Sequence, residues 1–302
     1  MNAENINKIS MADLSNRVTR NERRAVQWLR FNKMLYSDMI CDNCGTPMNE
    51  IMANQNKDGR VWRCSKKGCQ KRDSIRKDSF FEESQLRLAI IIRIIFYWAW
   101  QLPLTFVAQD LKVSKKTLVD WFNFCRDVCI HRVIENVQQI GGVGFIVEID
   151  ESKFVKAKYN RGRNVGMKEG WVLGGIQRGT RLCFLEEVPS RDAQTLIPII
   201  QKWVAPGTTI ITDEWRAYHQ LSNLGYVHIT VNHTQNFVDP ITGAHTQNVE
   251  SMWARAKQKF KKIYGTSPDL KPSYLAEFMW RERYGRLPSG NIMVHIRKKY
   301  NI

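Results

Sequence analysis

The stretch Gly144 to Phe154, GFIVEIDESKF, constrains this chain most, because it reads as a strand that delivers a carboxylate to its end. Alternation puts Phe145, Val147 and Ile149 on one face and Ile146, Glu148 and Asp150 on the other, as in a strand with one face against a core. A second apolar run, Thr208 to Asp213, also ends in an aspartate, ahead of the helical-looking EWRAYHQL. A third acidic residue, Glu250, borders an amphipathic helix whose apolar stripe is Val249, Met252, Trp253, Ala256, Phe260 and Ile263. Asp150, Asp213 and Glu250 therefore form one candidate metal site.

The intervening sequence supplies a frame for them. Further strands are expected at Trp171 to Gln177, Leu182 to Val188 and Val227 to Val231, with a helix over Ser190 to Val204. Three antiparallel strands and a crossover helix would lay Thr208 to Asp213 parallel to the first strand, bringing the two aspartates together. This order is that of a ribonuclease H-like α/β domain with a mixed five-stranded sheet.

Oxygen ligands of this kind suit magnesium or manganese. Two such ions, about 4 Å apart, activate an attacking oxygen, neutralise the phosphorane-like charge and stabilise the leaving oxygen. Glu148, Glu151 and Glu214 read as surface charges beside the aspartates. Among the loop histidines His233 and His245, His245 is the auxiliary candidate for orienting a water or leaving group. Lys257 and Lys261, on the same helix side as Glu250, are placed to hold phosphates, as are Lys153, Lys156, Arg161 and Arg163 after the first strand.

Upstream, Cys41-x2-Cys44 and Cys64-x4-Cys69 are two close pairs suited to a tetrahedral zinc ion. The turn signal Asn56 to Gly59 and the strand-like Arg60 to Arg63 complete a zinc-ribbon layout, against the alternative of four unrelated buried thiols. The surrounding Arg60, Arg63, Lys66, Lys67, Lys71, Arg72, Arg76 and Lys77 are either phosphate contacts or a solvated face. An apolar helix is expected from Glu82 to Gln101. After it, a short helix capped by Thr105, a turn at Lys112 and Val113, and a helix capped by Ser114 read as helix-turn-helix, with Lys115 and Lys116 outward. A plain helical hairpin is the alternative. Cys125 and Cys129 read as buried apolar residues.

The formal charge of +17, from 46 Lys and Arg against 29 Asp and Glu in 302 residues, favours a nucleic-acid partner over a membrane. The most hydrophobic run, Leu88 to Trp100, contains Arg93 and falls short of the roughly 20 residues a bilayer span needs. No secretory signal is apparent, and seven cysteines without one point to a reducing compartment. The expected organisation is a polar leader (1–36), the ribbon (37–80), the helix-turn-helix region (82–138), the catalytic domain (142–285) and a basic tail (286–302).

The motifs EIDESKF, YNRGR, WVLGGIQRG, TIITDEWRAY, VNHTQNFVDP, GAHTQNVESMW and YLAEFMWRERY together resemble a DDE transposase of the ISXO2-like group. The likeness is closest to the eukaryotic Merlin transposons and extends to the bacterial IS1595 and IS1016 elements. It implies that Asp150, Asp213 and Glu250 are the catalytic carboxylates. It also implies binding to the terminal inverted repeats of a DNA element, metal-dependent hydrolysis that frees a 3′ hydroxyl, and joining to target DNA. A homodimer or larger homo-oligomer and a nuclear setting are further implications. The rival is a domesticated DNA-binding protein on the same fold, and a third class is a structure-specific or RNA-cleaving nuclease.

Overall fold

The computed structural model describes residues 3–53, 55–154, 170–231, 245–262 and 266–302. They fall into two units, one of Met1–Val128 with Tyr284–Ile302 and one of Cys129–Arg283.

In the first unit the leader is folded. Helices α1 (Ala3–Asn7) and α2 (Met11–Asp13), a π-helical turn (Leu14–Val18) and α3 (Glu22–Phe31) bury Ile6, Leu14, Val18, Ala25, Val26 and Leu29. Polar composition hid an apolar stripe. Four antiparallel strands follow in the order β1 (Met39–Ile40), β2 (Pro47–Met52), β3 (Arg60–Cys64) and β4 (Arg72–Ser74). The Asn56–Gly59 turn closes through a Gly59 amide bond to the Asn56 carbonyl of 2.8 Å, with Gly59 at φ 69°.

The apolar helix α4 spans Leu88–Ala99, shorter than the sequence predicts. Its start is fixed from outside: the Glu22 carboxylate accepts the amides of Leu88 and Ala89 at 2.6 and 3.3 Å. Helix α5 (Leu104–Leu111) begins on Pro103 rather than on a Thr105 cap; Lys112 then turns left-handed at φ 55°. Helix α6 (Lys115–Ile130) is capped by Ser114 Oγ, which accepts the Thr117 amide at 3.1 Å. Val107, Leu111, Leu118 and Trp121 are buried, whereas Ala108 and Val113 are only partly so. The expected basic tail is a helix, Pro288–Tyr300, burying Ile292, Met293 and Ile296. Its Gly290 lies so near Ala3 that a Cβ would overlap the Ala3 carbonyl. No helix among the described residues is long and apolar enough to cross a membrane.

The second unit is built on a five-stranded mixed sheet. Its elements are β5 (Ile140–Gly141), β6 (Ile146–Lys153), β7 (Trp171–Gln177), β8 (Cys183–Val188), α7 (Ala193–Trp203), β9 (Val204–Ala205), β10 (Thr209–Asp213), β11 (Val227–Val231), α8 (Gln247–Lys262) and α9 (Lys271–Tyr284). The strand order is β11-β10-β6-β7-β8; β6 to β8 form an antiparallel meander, and β10 runs parallel to both β6 and β11. Strands β5 and β9 pair separately. EWRAYHQL is not the expected helix but two short 3-10 turns, Arg216–Tyr218 and Leu221–Leu224, ended by Gly225 at φ 84°.

Adjacent glycines let this sheet be covered on both faces. A Cβ on Gly174 would sit 2.5 Å from the Trp253 ring of α8. One on Gly175 would overlap Phe184, which stacks on Trp203 of α7 at 5.7 Å. Gly174→Ala is expected to push α8 off the sheet, costing roughly 1–3 kcal/mol. Urea denaturation showing less than a few tenths of that cost would remove the close packing from the account.

Candidate active site

One strand and one helix build the centre of the site. Glu148, Asp150 and Ser152 alternate along β6, Phe154 follows just past its end, and all four engage α8. Glu148, fully buried, accepts the amides of Asn248 and Val249 at 2.9 and 3.0 Å, the Asn248 side chain at 2.7 Å and Arg178 Nε at 2.6 Å. Asp150 accepts the Trp253 indole N–H at 3.1 Å. Lys257 donates to Ser152 Oγ at 2.5 Å, and Phe154 packs edge-on against Trp253 and Phe260. Two residues of strand and four of helix advance by nearly the same length, about 6–7 Å, so the contacts stay in step.

The two aspartates stand on adjacent strands. Pairing of Thr209 with Ile146, Ile210 with Val147 and Ile211 with Glu148 fixes the offset between the parallel strands. Carried two residues further, it sets Asp213 level with Asp150. Both are half-buried. Burial first, then the charges of Glu151 and Asp213, push the Asp150 carboxyl up to about 6, against the Trp253 bond. Asp213 Oδ1 accepts the Trp215 amide at 3.0 Å. Glu250 is exposed on α8, between the Glu148 anchor and the Trp253 anchor, and accepts Thr246 Oγ1 at 3.3 Å.

Two of the expected surface charges are interior groups. Glu148 holds the end of α8. Glu151 is also buried, beside Arg191 at 3.3 Å; burial raises its carboxyl, and burial beside it drives the Tyr218 hydroxyl well above the usual phenol range. Residues on both faces of β6 are buried, Val147, Ile149 and Glu151 on one and Glu148 on the other, so its alternation does not mark a solvent face. Glu214 is exposed as expected.

The remaining assignments divide. His245 turns to Glu148, with Nδ1 3.6 Å from Oε1, and its carbonyl accepts Arg178. Lys257 is engaged by Ser152, Lys261 is exposed, and Lys153 lies over the Trp171 ring at 4.8 Å. Lys156, Arg161, Arg163 and His233 lie outside the described residues. Arg178, Arg191, Trp171 and Trp215 were not singled out from sequence; only the position of Trp215 just past Asp213 could have drawn notice.

In the first unit the Sγ atoms of Cys41, Cys44, Cys64 and Cys69 all lie within 4.8 Å of one another, at 3.7 Å for Cys41–Cys69 and 3.4 Å for Cys44–Cys64. A tetrahedral zinc–thiolate shell needs sulfur separations of roughly 3.8 Å, so the donors fit. The Thr46 hydroxyl and amide lower the Cys44 thiol to about 6, Asn43 lowers Cys69, and burial lifts Cys64 to about 12. Among the described residues this is the set of three or more ligand groups drawn close together; the three carboxylates are not. Of the nearby cations, Arg76 is fully buried on Asp58, Arg60 pairs with Glu50, and Lys71 and Lys77 pair with Asp42. Lys66, Lys67, Arg72, Lys115 and Lys116 are exposed. Cys125 and Cys129 are buried, as expected.

A family model described as the ISXO2-like transposase domain matches residues 142–283. An uncharacterized transposase-like protein of Haemophilus influenzae is 30% identical over 94 residues, covering 31% of this chain and 75% of that protein. A chain in the cryo-EM structure of the simian T-cell lymphotropic virus intasome in complex with PP2A regulatory subunit B56 gamma aligns over 65% of this chain and 73% of its own, at 10% identity and a TM-score of 0.29, too slight a likeness to bear on the fold.

The Asp150 shift has a sign that can be measured. A carboxyl whose folded pKa is raised stabilises the fold below its unfolded value, about 3.9, and that contribution is lost as pH rises through about 6. In metal-free protein Asp150→Asn should therefore be more stable than wild type at pH 8, by roughly 1–3 kcal/mol, with the gap closing towards pH 4. Melts that show no such convergence would refute the shift.

Proposed function

The chain belongs to the ISXO2-like transposase family, and from that premise we propose that it is a DDE transposase that binds the terminal inverted repeats of its element, cleaves the ends and joins them to target DNA. One geometric fact supports this most directly: Asp213 is level with Asp150 on adjacent parallel strands, and Asp150 is bonded to Trp253 of the helix that carries Glu250. The strand order, with its meander and parallel extension, supports a ribonuclease H-like reading of the second unit.

In this reading Asp150, Asp213 and Glu250 hold divalent metal. Two magnesium or manganese ions bound there would supply an activated attacking oxygen and neutralise charge on the phosphate in flight. The donor set fits, being all oxygen. The Asp150 carboxyl is also raised, by burial first and then by the charges of Glu151 and Asp213. The chain's own part is positioning. Glu148 and Arg178 fix the start of α8, Trp253 orients Asp150, and the Trp215 amide orients Asp213. Glu250, exposed on α8, is read as the third ligand, supplied from the helix. Hydrolysis frees a 3′ hydroxyl, and the same carboxylates then serve its attack on target DNA.

The first unit supplies recognition. The four cysteines are read as a zinc ribbon, and α5 with α6 as a helix-turn-helix whose Lys115 and Lys116 meet DNA. Lys153, Lys156, Arg161, Arg163, Lys257 and Lys261 are read as further phosphate contacts. Pairing of two DNA ends requires a homodimer or larger homo-oligomer, and a nuclear setting follows from the likeness to Merlin elements.

Asp150→Asn, Asp213→Asn and Glu250→Gln should each reduce cleavage of a duplex bearing the terminal repeat, in magnesium or manganese, by at least about 10³-fold while leaving duplex binding near wild type. Full cleavage by any one variant removes that residue from the site. Purified protein should also hold one zinc per chain, and the double substitution Cys41→Ser, Cys44→Ser should lose it; elemental analysis finding no zinc in folded wild type defeats the ribbon.

A further inference from the structure

Beside the carboxylates lies a group of side chains that the proposed chemistry does not use. Trp215 keeps 43% of its surface exposed although it is held at two points. Its amide donates to Asp213 Oδ1 at 3.0 Å and its indole N–H to the Arg191 carbonyl at 2.8 Å. The Arg191 guanidinium lies 4.5 Å from the ring centroids of both Trp215 and Trp171, and the Lys153 ammonium lies 4.8 Å from Trp171. Arg191 Nε is buried without a hydrogen-bond partner, while Nη2 reaches Glu151 at 3.3 Å. The guanidinium thus pairs with the buried Glu151 carboxylate and also lies against both indole rings. Four separate segments converge here: the end of β6, the start of β7, the loop before α7 and the residues after β10.

We infer that Trp215, backed by Arg191, is a stacking platform for an unpaired nucleobase of the DNA held at the carboxylates. The inference rests on the transposase reading for its choice of polymer. Every base offers a π-face, and an indole held in place on a cation meets it with little ordering cost. Lys153 and Arg191 lend positive charge for the adjoining phosphates, next to the carboxylates where a phosphodiester would react. Taking a base out of its stack costs a few kcal/mol, and stacking on Trp215 returns part of that. The nucleotide beside the scissile phosphate is then unpaired when the strand is in place.

The test uses a duplex with the terminal repeat and a short single-stranded 3′ extension carrying 2-aminopurine, alongside the same duplex blunt. In metal-free buffer, wild type and Trp215→Phe should quench the 2-aminopurine and Trp215→Ala should not. Affinity of Trp215→Ala for the extended duplex should fall by about 5- to 150-fold, with affinity for the blunt duplex unchanged. Equal quenching and affinity for wild type and Trp215→Ala overturn the platform, as does absence of quenching by wild type. Adding magnesium separates the two readings. Cleavage that depends on Asp150, together with equal binding by Trp215→Ala, sinks the platform and keeps the transposase. Quenching that depends on Trp215, without cleavage that depends on Asp150, does the reverse.

Discussion

Glu148 is fully buried, and a carboxylate taken out of water costs several kcal/mol unless its charge is met where it lies. Here it is met by two backbone amides at the positive end of α8, by the Asn248 side chain and by Arg178. The amides concerned are among those a helix start leaves without partners, so one contact satisfies both the strand and the helix. It also sets a register. With Glu148 fixed under Asn248 and Val249, Trp253 falls over Asp150, Lys257 over Ser152 and Phe260 beside Phe154. A slip of α8 by one residue would break the bonds by which Asn248 and Val249 meet the buried carboxylate. Glu250 owes its position to that lock, its own side chain accepting a long bond from Thr246 Oγ1.

The site held this way is electrostatically uncomfortable without a cation. Burial and neighbouring negative charge raise the carboxyls of Asp150 and Glu151, while the Trp253 indole on Asp150 and Tyr218 and Arg191 on Glu151 work the other way. Elsewhere in the unit, charges are closely matched, as in Lys259 and Arg281 on Glu277 and Arg255 on Glu282. Among the described residues of the unit, carboxyls raised by burial and by neighbouring charge gather at Asp150 and Glu151. A fold carries such a cluster at a loss in stability, and carboxylates on rigid strands are where a cation-dependent reaction would return it.

Much of the second unit was legible from local pattern. Strands β7 and β11 fall on their expected residues, and the level aspartates follow from a crossover helix and a parallel return. What could not be read depends on partners distant in sequence. Glu148 looks like a surface charge until α8, a hundred residues later, is laid over it. Glu22 sets the start of α4 from sixty-six residues away, and Arg76 is a basic residue near the ribbon until Asp58 encloses it. EWRAYHQL has helical composition, yet the Trp215 amide bonds the Asp213 side chain and the chain leaves in an extended conformation. In each case periodicity reports that a residue can be covered, and only tertiary contact decides by what.

The positive charge is a last instance of that distinction. A formal +17 invites the view that the whole surface attracts DNA. Yet Arg30 and Arg60 share Glu50, Arg76 is interior, Arg178 serves Glu148 and Lys259 lies against Glu277. These cations hold the protein together and have little left for a phosphate. Lys66, Lys67 and Arg72 near the cysteines and Lys115 and Lys116 at the start of α6 are exposed instead. Counterion release scales with the phosphates a protein neutralises, not with its net charge. The salt dependence of DNA binding should therefore follow the exposed lysines and arginines, each adding close to one unit of slope, while the interior arginines act on the fold.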